Sequence, residues 1–65
     1  MAAGDEATQE AGRALADAAA AIREHGPLSP QATQALRAGA FTEINARAAG
    51  ATSADIADAI TNAQS

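Results

Sequence analysis

The chain has 65 residues, a net charge of −4, no cysteine and no lysine. These features exclude a disulfide framework and a thiolate metal site, and they disfavour binding to nucleic-acid phosphates. Twenty-two residues are alanine, whereas only nine side chains are large and apolar. Because alanine forms helices readily but adds little free energy when buried, we predict one small all-helical domain, residues 1–65, that is marginally stable alone. The alanine, glycine and arginine content is typical of a GC-rich bacterial genome.

The first helix is predicted to be the longest, from about Glu6 to His25. Leu15 and Ile22 lie seven residues apart in it, and alanines fill the rest of the same stripe. The pair Gly26-Pro27 ends this helix, because glycine tolerates the left-handed cap and proline cannot continue the hydrogen-bond ladder.

A second, short helix is predicted from Pro30 to about Arg37, with Ser29 as its N-cap. Gly39 is expected to end or kink it. A third helix then runs from about Phe41 to Ala49.

The last predicted helix begins after Gly50, the natural residue to follow the end of the third helix. Thr52 or Ser53 caps this fourth helix, and Asp55 lies in its first turn, where the helix dipole favours an anion. The sequence therefore predicts a compact array of about four short helices.

The large apolar side chains are the candidate core and binding residues. We expect Leu28, Leu36, Phe41 and Ile44 to form the central cluster, with Phe41, the only aromatic residue, as its central plug. The alternative is that Phe41 is an exposed anchor for a partner. Partner contacts are expected from the rims of the first and last helices, and the candidate partner-binding residues are Leu28, Leu36, Phe41, Ile44, Ile56 and Ile60.

No catalytic or metal-binding residues are predicted. His25 lacks a nucleophile or ligand partner at a suitable spacing. Its position at the end of a helix, where the helix dipole favours a cationic side chain, accounts for this histidine without a catalytic role. Asp55 and Asp58 lie three residues apart and suit a hard cation, but a solvated helix face accounts for them better. We expect no cofactor, no nucleic acid and no membrane span, and the acidic N-terminus favours a cytoplasmic protein.

One stretch carries a family resemblance. The segments Ile22-Arg23-Glu24-His25-Gly26, Leu28-Ser29 and Leu36-Arg37-Ala38-Gly39-Ala40-Phe41 resemble the small helical subunit of protocatechuate 4,5-dioxygenases. The same region is similar to the leader, or enzyme-binding domain, of split borosin precursors, peptides that a separate methyltransferase N-methylates. Pro27 is an extra residue relative to this pattern, and Ala40 stands where the family often has aspartate. The resemblance implies a non-catalytic chain, since the iron ligands of the dioxygenases lie on the large subunit.

Two other stretches also resemble known families. Residues 46–60 look like the first half of a bacterial helix-turn-helix, but the recognition helix that enters the major groove is missing after Ile60. Residues 18–44 look like the antitoxins of Fic-type AMP-transferases, whose inhibitory motif is broken here by Ala20 and His25 on either side of Glu24.

Two functions are predicted from these observations. The first is a non-catalytic helical module that docks onto a larger enzyme, either a peptide-modifying enzyme or a dioxygenase large subunit, with a homodimer as a further way to cover apolar surface. The alternative is a small regulatory protein or antitoxin whose C-terminal half is a truncated helix-turn-helix.

Overall fold

The computed structural model describes residues 3–65, which form three α-helices: α1, Ala3–His25; α2, Pro30–Ala48; and α3, Ser53–Gln64. All regular structure in this part of the chain is helical, which confirms the all-α prediction. The first helix is the longest, with 23 residues. The prediction of about four helices is wrong, since residues 30–48 form one continuous helix.

Gly39 explains the difference between three helices and four. It lies inside α2, where it is buried, and a β-carbon at this position would lie 2.8 Å from Cδ2 of Leu15 in α1. The glycine therefore admits a neighbouring side chain and does not end the helix. Sequence spacing alone does not distinguish a helix-breaking glycine from one that a close contact requires.

The turn between α1 and α2 has the predicted capping residues. Gly26 has φ +92° and follows the last residue of α1. Ser29 is the N-cap of α2: its Oγ accepts a hydrogen bond from the amide of Ala32 at 3.1 Å and donates one to the carbonyl of Gly26 at 2.8 Å. Pro30 follows at the first helical position, where no amide donor is required.

The turn between α2 and α3 is equally well defined. Gly50 has φ +105°, and the amide of Ala51 donates to the carbonyl of Ala46 at 3.0 Å, as in a Schellman motif. Thr52, one of the two predicted caps, begins α3. Its amide donates to Asp55 Oδ2 at 2.9 Å, and its Oγ1 accepts from the amide of Asp55 at 3.1 Å, completing a capping box.

Helix α1 is the scaffold of the fold, because α2 and α3 both pack mainly against it. The core cluster consists of Ala11 from α1, Ala46 from α2 and Ile56 from α3. Leu15 and Ile60 are partly buried against this cluster. The core is thin, since alanine supplies most of its buried side chains.

Candidate protein-binding surface

Helix α2 contacts α1 through its smallest side chains. Ala32 and Ala46 are fully buried, Gly39 is buried, and Ala35 and Thr42 are partly buried. These positions recur every three or four residues and so lie on one side of the helix. The two helices can therefore approach closely, and the Leu15 side chain of α1 occupies the space that Gly39 leaves.

The large apolar side chains of α2 lie on the opposite side and are exposed to solvent. Leu36 is 45% exposed, Phe41 69% and Ile44 67%. The prediction that these residues form the central cluster, with Phe41 as its plug, is wrong. The side of α2 that carries small side chains packs against the alanine-rich stripe of α1. The side that carries the large apolar side chains therefore faces solvent.

The remaining predicted residues divide between the turn and the core. Leu28 is 95% exposed in the turn before α2, so it does not join a central cluster either. Ile56 is 4% exposed and belongs to the core, and Ile60 packs against that core. In this fold Ile56 and Ile60 contribute to packing between α3 and α1, and only Leu36, Phe41 and Ile44 share one exposed helix face.

Two further residues complete this surface. Ala40 lies one helical turn after Leu36 and one turn before Ile44. Around the helix axis, Arg37 lies between this stripe and Phe41. Both are exposed. The i, i+4, i+8 spacing of Leu36, Ala40 and Ile44 is the sequence signal that identifies the stripe. We call Leu36, Arg37, Ala40, Phe41 and Ile44 the outer face of α2.

The two arginines of α2 differ in their partners. Arg47 lies one turn beyond Ile44, where its Nε donates to Glu43 Oε2 at 3.1 Å and its Nη2 donates to Ser53 Oγ at 3.1 Å. Within residues 3–65, no acidic side chain lies within ion-pair distance of Arg37. The guanidinium of Arg37 therefore remains available to an acidic group on a binding partner.

Charge is distributed unevenly among the helices. Helix α2 has two arginines and one glutamate, whereas seven of the eight acidic residues lie outside it. The net charge is thus +1 on α2 and −5 on the rest of the chain. The outer face of α2 is an apolar surface on the least acidic part of the molecule.

A groove of about 650 Å³ runs along the surface where the N-terminal half of α1 meets α3 and the turn before it. Asp5, Asp55 and Asp58 line it together with Arg13. The carboxylate of Asp55 is already bound to Thr52: the hydrogen bond from the Thr52 backbone amide lowers the pKa of Asp55, and the Thr52 hydroxyl adds a smaller contribution in the same direction. Asp55 and Asp58 are both exposed. Within the described part of the chain, no three His, Cys, Asp or Glu side chains are grouped closely enough to hold a metal ion.

His25 is exposed at the end of α1. Its Nε2 lies 3.8 Å from Oε2 of the neighbouring Glu24, which is also exposed. This contact pairs two adjacent surface side chains.

Across residues 3–65, no helix is both long enough and apolar enough to cross a membrane.

Comparisons with protein-family models, with curated proteins and with solved structures find no match to this chain.

Proposed function

We propose that this chain is a non-catalytic helical module that docks onto a larger protein through the outer face of α2. The observation that carries the proposal is the orientation of α2, whose small side chains face α1 while Leu36, Phe41 and Ile44 face solvent. Contiguous exposed apolar side chains of this size are typical of protein–protein contacts.

The energetics of the surface support docking. Fully burying a leucine, isoleucine or phenylalanine side chain contributes roughly 1.5–3 kcal/mol, so three such residues on one face can anchor a partner. The fold itself makes little use of them, since its core is built from Ala11, Ala46 and Ile56. Substitutions on the outer face should therefore weaken binding without unfolding the chain.

The partner we propose is an enzyme acting in the cytoplasm. The resemblance of residues 22–41 to a dioxygenase small subunit and to a borosin leader supports this class of partner, either a ring-cleaving dioxygenase or a peptide-modifying methyltransferase. Its docking site would be an apolar groove with a carboxylate placed to meet Arg37.

The alternative function, a regulator derived from a helix-turn-helix, assigns the activity to the C-terminal helix. Deleting residues 53–65 does not provide a clean test of it, because Ile56 fills the core between Ala11 and Ala46. Point variants of the outer face separate the two hypotheses, since they leave α3 and its core contacts in place.

The test is capture of partners from native lysate by the tagged chain, followed by reconstitution with the purified candidate enzyme. The double variant Phe41→Ala/Ile44→Ala should reduce the affinity by about tenfold or more, because central apolar anchors dominate such interfaces. Gln31→Ala, which changes an exposed polar residue of the same helix away from the outer face, is the matched control. Equal binding by the double variant and the wild type would overturn the proposal, as would capture of a repressor or toxin in place of an enzyme.

A further inference from the structure

The outer face of α2 has a symmetric arrangement of side chains. Ala40, with the smallest side chain, lies at its centre, with Leu36 one turn before it and Ile44 one turn after it. If two such helices pair antiparallel about a two-fold axis at Ala40, Leu36 of each copy lies beside Ile44 of the other. An isologous contact of this kind closes with two chains. We propose that two copies of this chain form such an antiparallel dimer when no larger partner covers the face.

The charge distribution favours this face over any other for self-association. Each chain has a net charge of −4, so contacts between α1 or α3 surfaces would bring acidic residues together. Pairing through α2 joins the one helix with a net charge of +1 and keeps the acidic helices on the outside. Charge repulsion between copies is therefore smallest in this arrangement.

The side chains flanking the axis complement one another. In the antiparallel pair, Arg37 of one copy lies near Phe41 of the other, because both are on the same flank of the outer face. A guanidinium over a phenyl ring is a favourable contact, and Arg37 has no competing ion pair within residues 3–65.

The outer face of α2 is a small surface. Its three large exposed side chains, Leu36, Phe41 and Ile44, lie on one helix of 19 residues. A two-fold contact made by one such helix from each chain is at the lower end of specific interfaces in size. The dimer is therefore expected to be weak and dissociable, so that a better-fitting partner replaces the second copy.

The first experiment is sedimentation equilibrium of the purified full chain from micromolar to millimolar concentration. A reversible monomer–dimer equilibrium is expected. Leu36→Glu should raise its dissociation constant by about tenfold or more, since it places an unpaired carboxylate in the interface. Leu28→Glu makes the same chemical change at an exposed leucine outside α2 and should leave the equilibrium unchanged. Helical circular dichroism of each variant verifies the fold.

The second experiment tests the antiparallel arrangement. Leu36→Glu and Ile44→Lys should each weaken self-association when studied alone. Mixed together, they should form a heterodimer, because the carboxylate introduced at position 36 meets the ammonium introduced at position 44 of the other chain. The other pair in that heterodimer keeps the native leucine and isoleucine. A parallel pair would bring no such opposite charges together and would show no recovery.

A chain that stays monomeric at millimolar concentration overturns the proposal. So does a dimer that Leu36→Glu leaves intact, or a pair of variants that does not recover on mixing. These measurements use the purified chain alone, so they distinguish failure of the dimer from failure of the proposed enzyme docking, which depends on a second protein.

Discussion

Gly12 of α1 lies directly against Ala59 of α3: a β-carbon at position 12 would be 2.5 Å from the Ala59 β-carbon and 2.5 Å from its backbone carbonyl carbon. The absence of a side chain at Gly12 is thus what allows α3 to pack directly against α1.

The first prediction concerns this contact between Gly12 and Ala59. Gly12→Ala should raise helix propensity by about 1 kcal/mol yet destabilise the fold by about 1–3 kcal/mol, because α3 must move away.

Gly39→Ala is the comparison for that prediction. Its β-carbon would lie 2.8 Å from Cδ2 of Leu15, whose side chain can rotate, and 3.7 Å from the Ala14 backbone oxygen, which is an ordinary contact distance. Urea unfolding should therefore show a smaller loss for Gly39→Ala than for Gly12→Ala. Adding Ala59→Gly to Gly12→Ala should not restore stability, since the clash with the Ala59 backbone remains. Equal stability of Gly12→Ala and wild type would refute the close contact.

The second prediction separates the core from the outer face. Ile56→Ala should cost about 2–4 kcal/mol, because it opens a cavity beside Ala11 and Ala46. Phe41→Ala should change the free energy of unfolding by less than about 0.5 kcal/mol, since that ring is mostly exposed. Chemical denaturation of both variants checks the difference. A larger loss for Phe41→Ala than for Ile56→Ala would mean that Phe41 is the core plug after all.

The third prediction concerns the pH dependence of the capping box. The pKa of Asp55 is lowered in the folded chain by its hydrogen bond from the Thr52 amide. A carboxylate with a lowered folded pKa stabilises the fold fully above its unfolded pKa, and this contribution is lost as the pH falls through the folded pKa. Acidification should therefore weaken the N-terminus of α3.

Thermal unfolding of wild type and Asp55→Asn across the acid range measures this effect. The stability advantage of the wild type should shrink as the pH falls, and it should be constant at neutral pH. Asp58→Asn, which changes an exposed aspartate outside the capping box, is the control. A constant difference between wild type and Asp55→Asn down to strong acid would contradict the prediction.

The fourth prediction concerns the turn that positions α3. Gly50 has φ +105°, and a β-carbon there would meet nothing within 4 Å. Gly50→Ala should therefore cost about 1–2 kcal/mol through backbone strain alone. Gly50→Asn should cost less, because asparagine tolerates positive φ better than alanine does. Calorimetric melting of the two variants checks this order, and equal melting temperatures for Gly50→Ala and wild type would exclude the strain.

Local features of the fold were predictable because their causes are local. The turn at Gly26, the cap at Ser29 and the capping residue Thr52 each follow from side-chain chemistry within a few residues. The all-helical class follows from the alanine content in the same way, since helix propensity acts residue by residue. The enzyme partner and the cytoplasmic location stay predictions.

The continuity of α2 and the direction of its faces depended on contacts between helices. Gly39 has the sequence signal of a helix end, but Leu15, 24 positions earlier in the chain, occupies the space beside it. Similarly, the rule that large apolar residues form the core predicted that Leu36, Phe41 and Ile44 would be buried, whereas the structure exposes them. The small residues Ala32, Gly39 and Ala46 of α2 are buried instead, so the large side chains on the other side of the helix face solvent. Propensity and capping thus determined where the helices form, whereas the match of small surfaces between helices decided which side of α2 faces solvent.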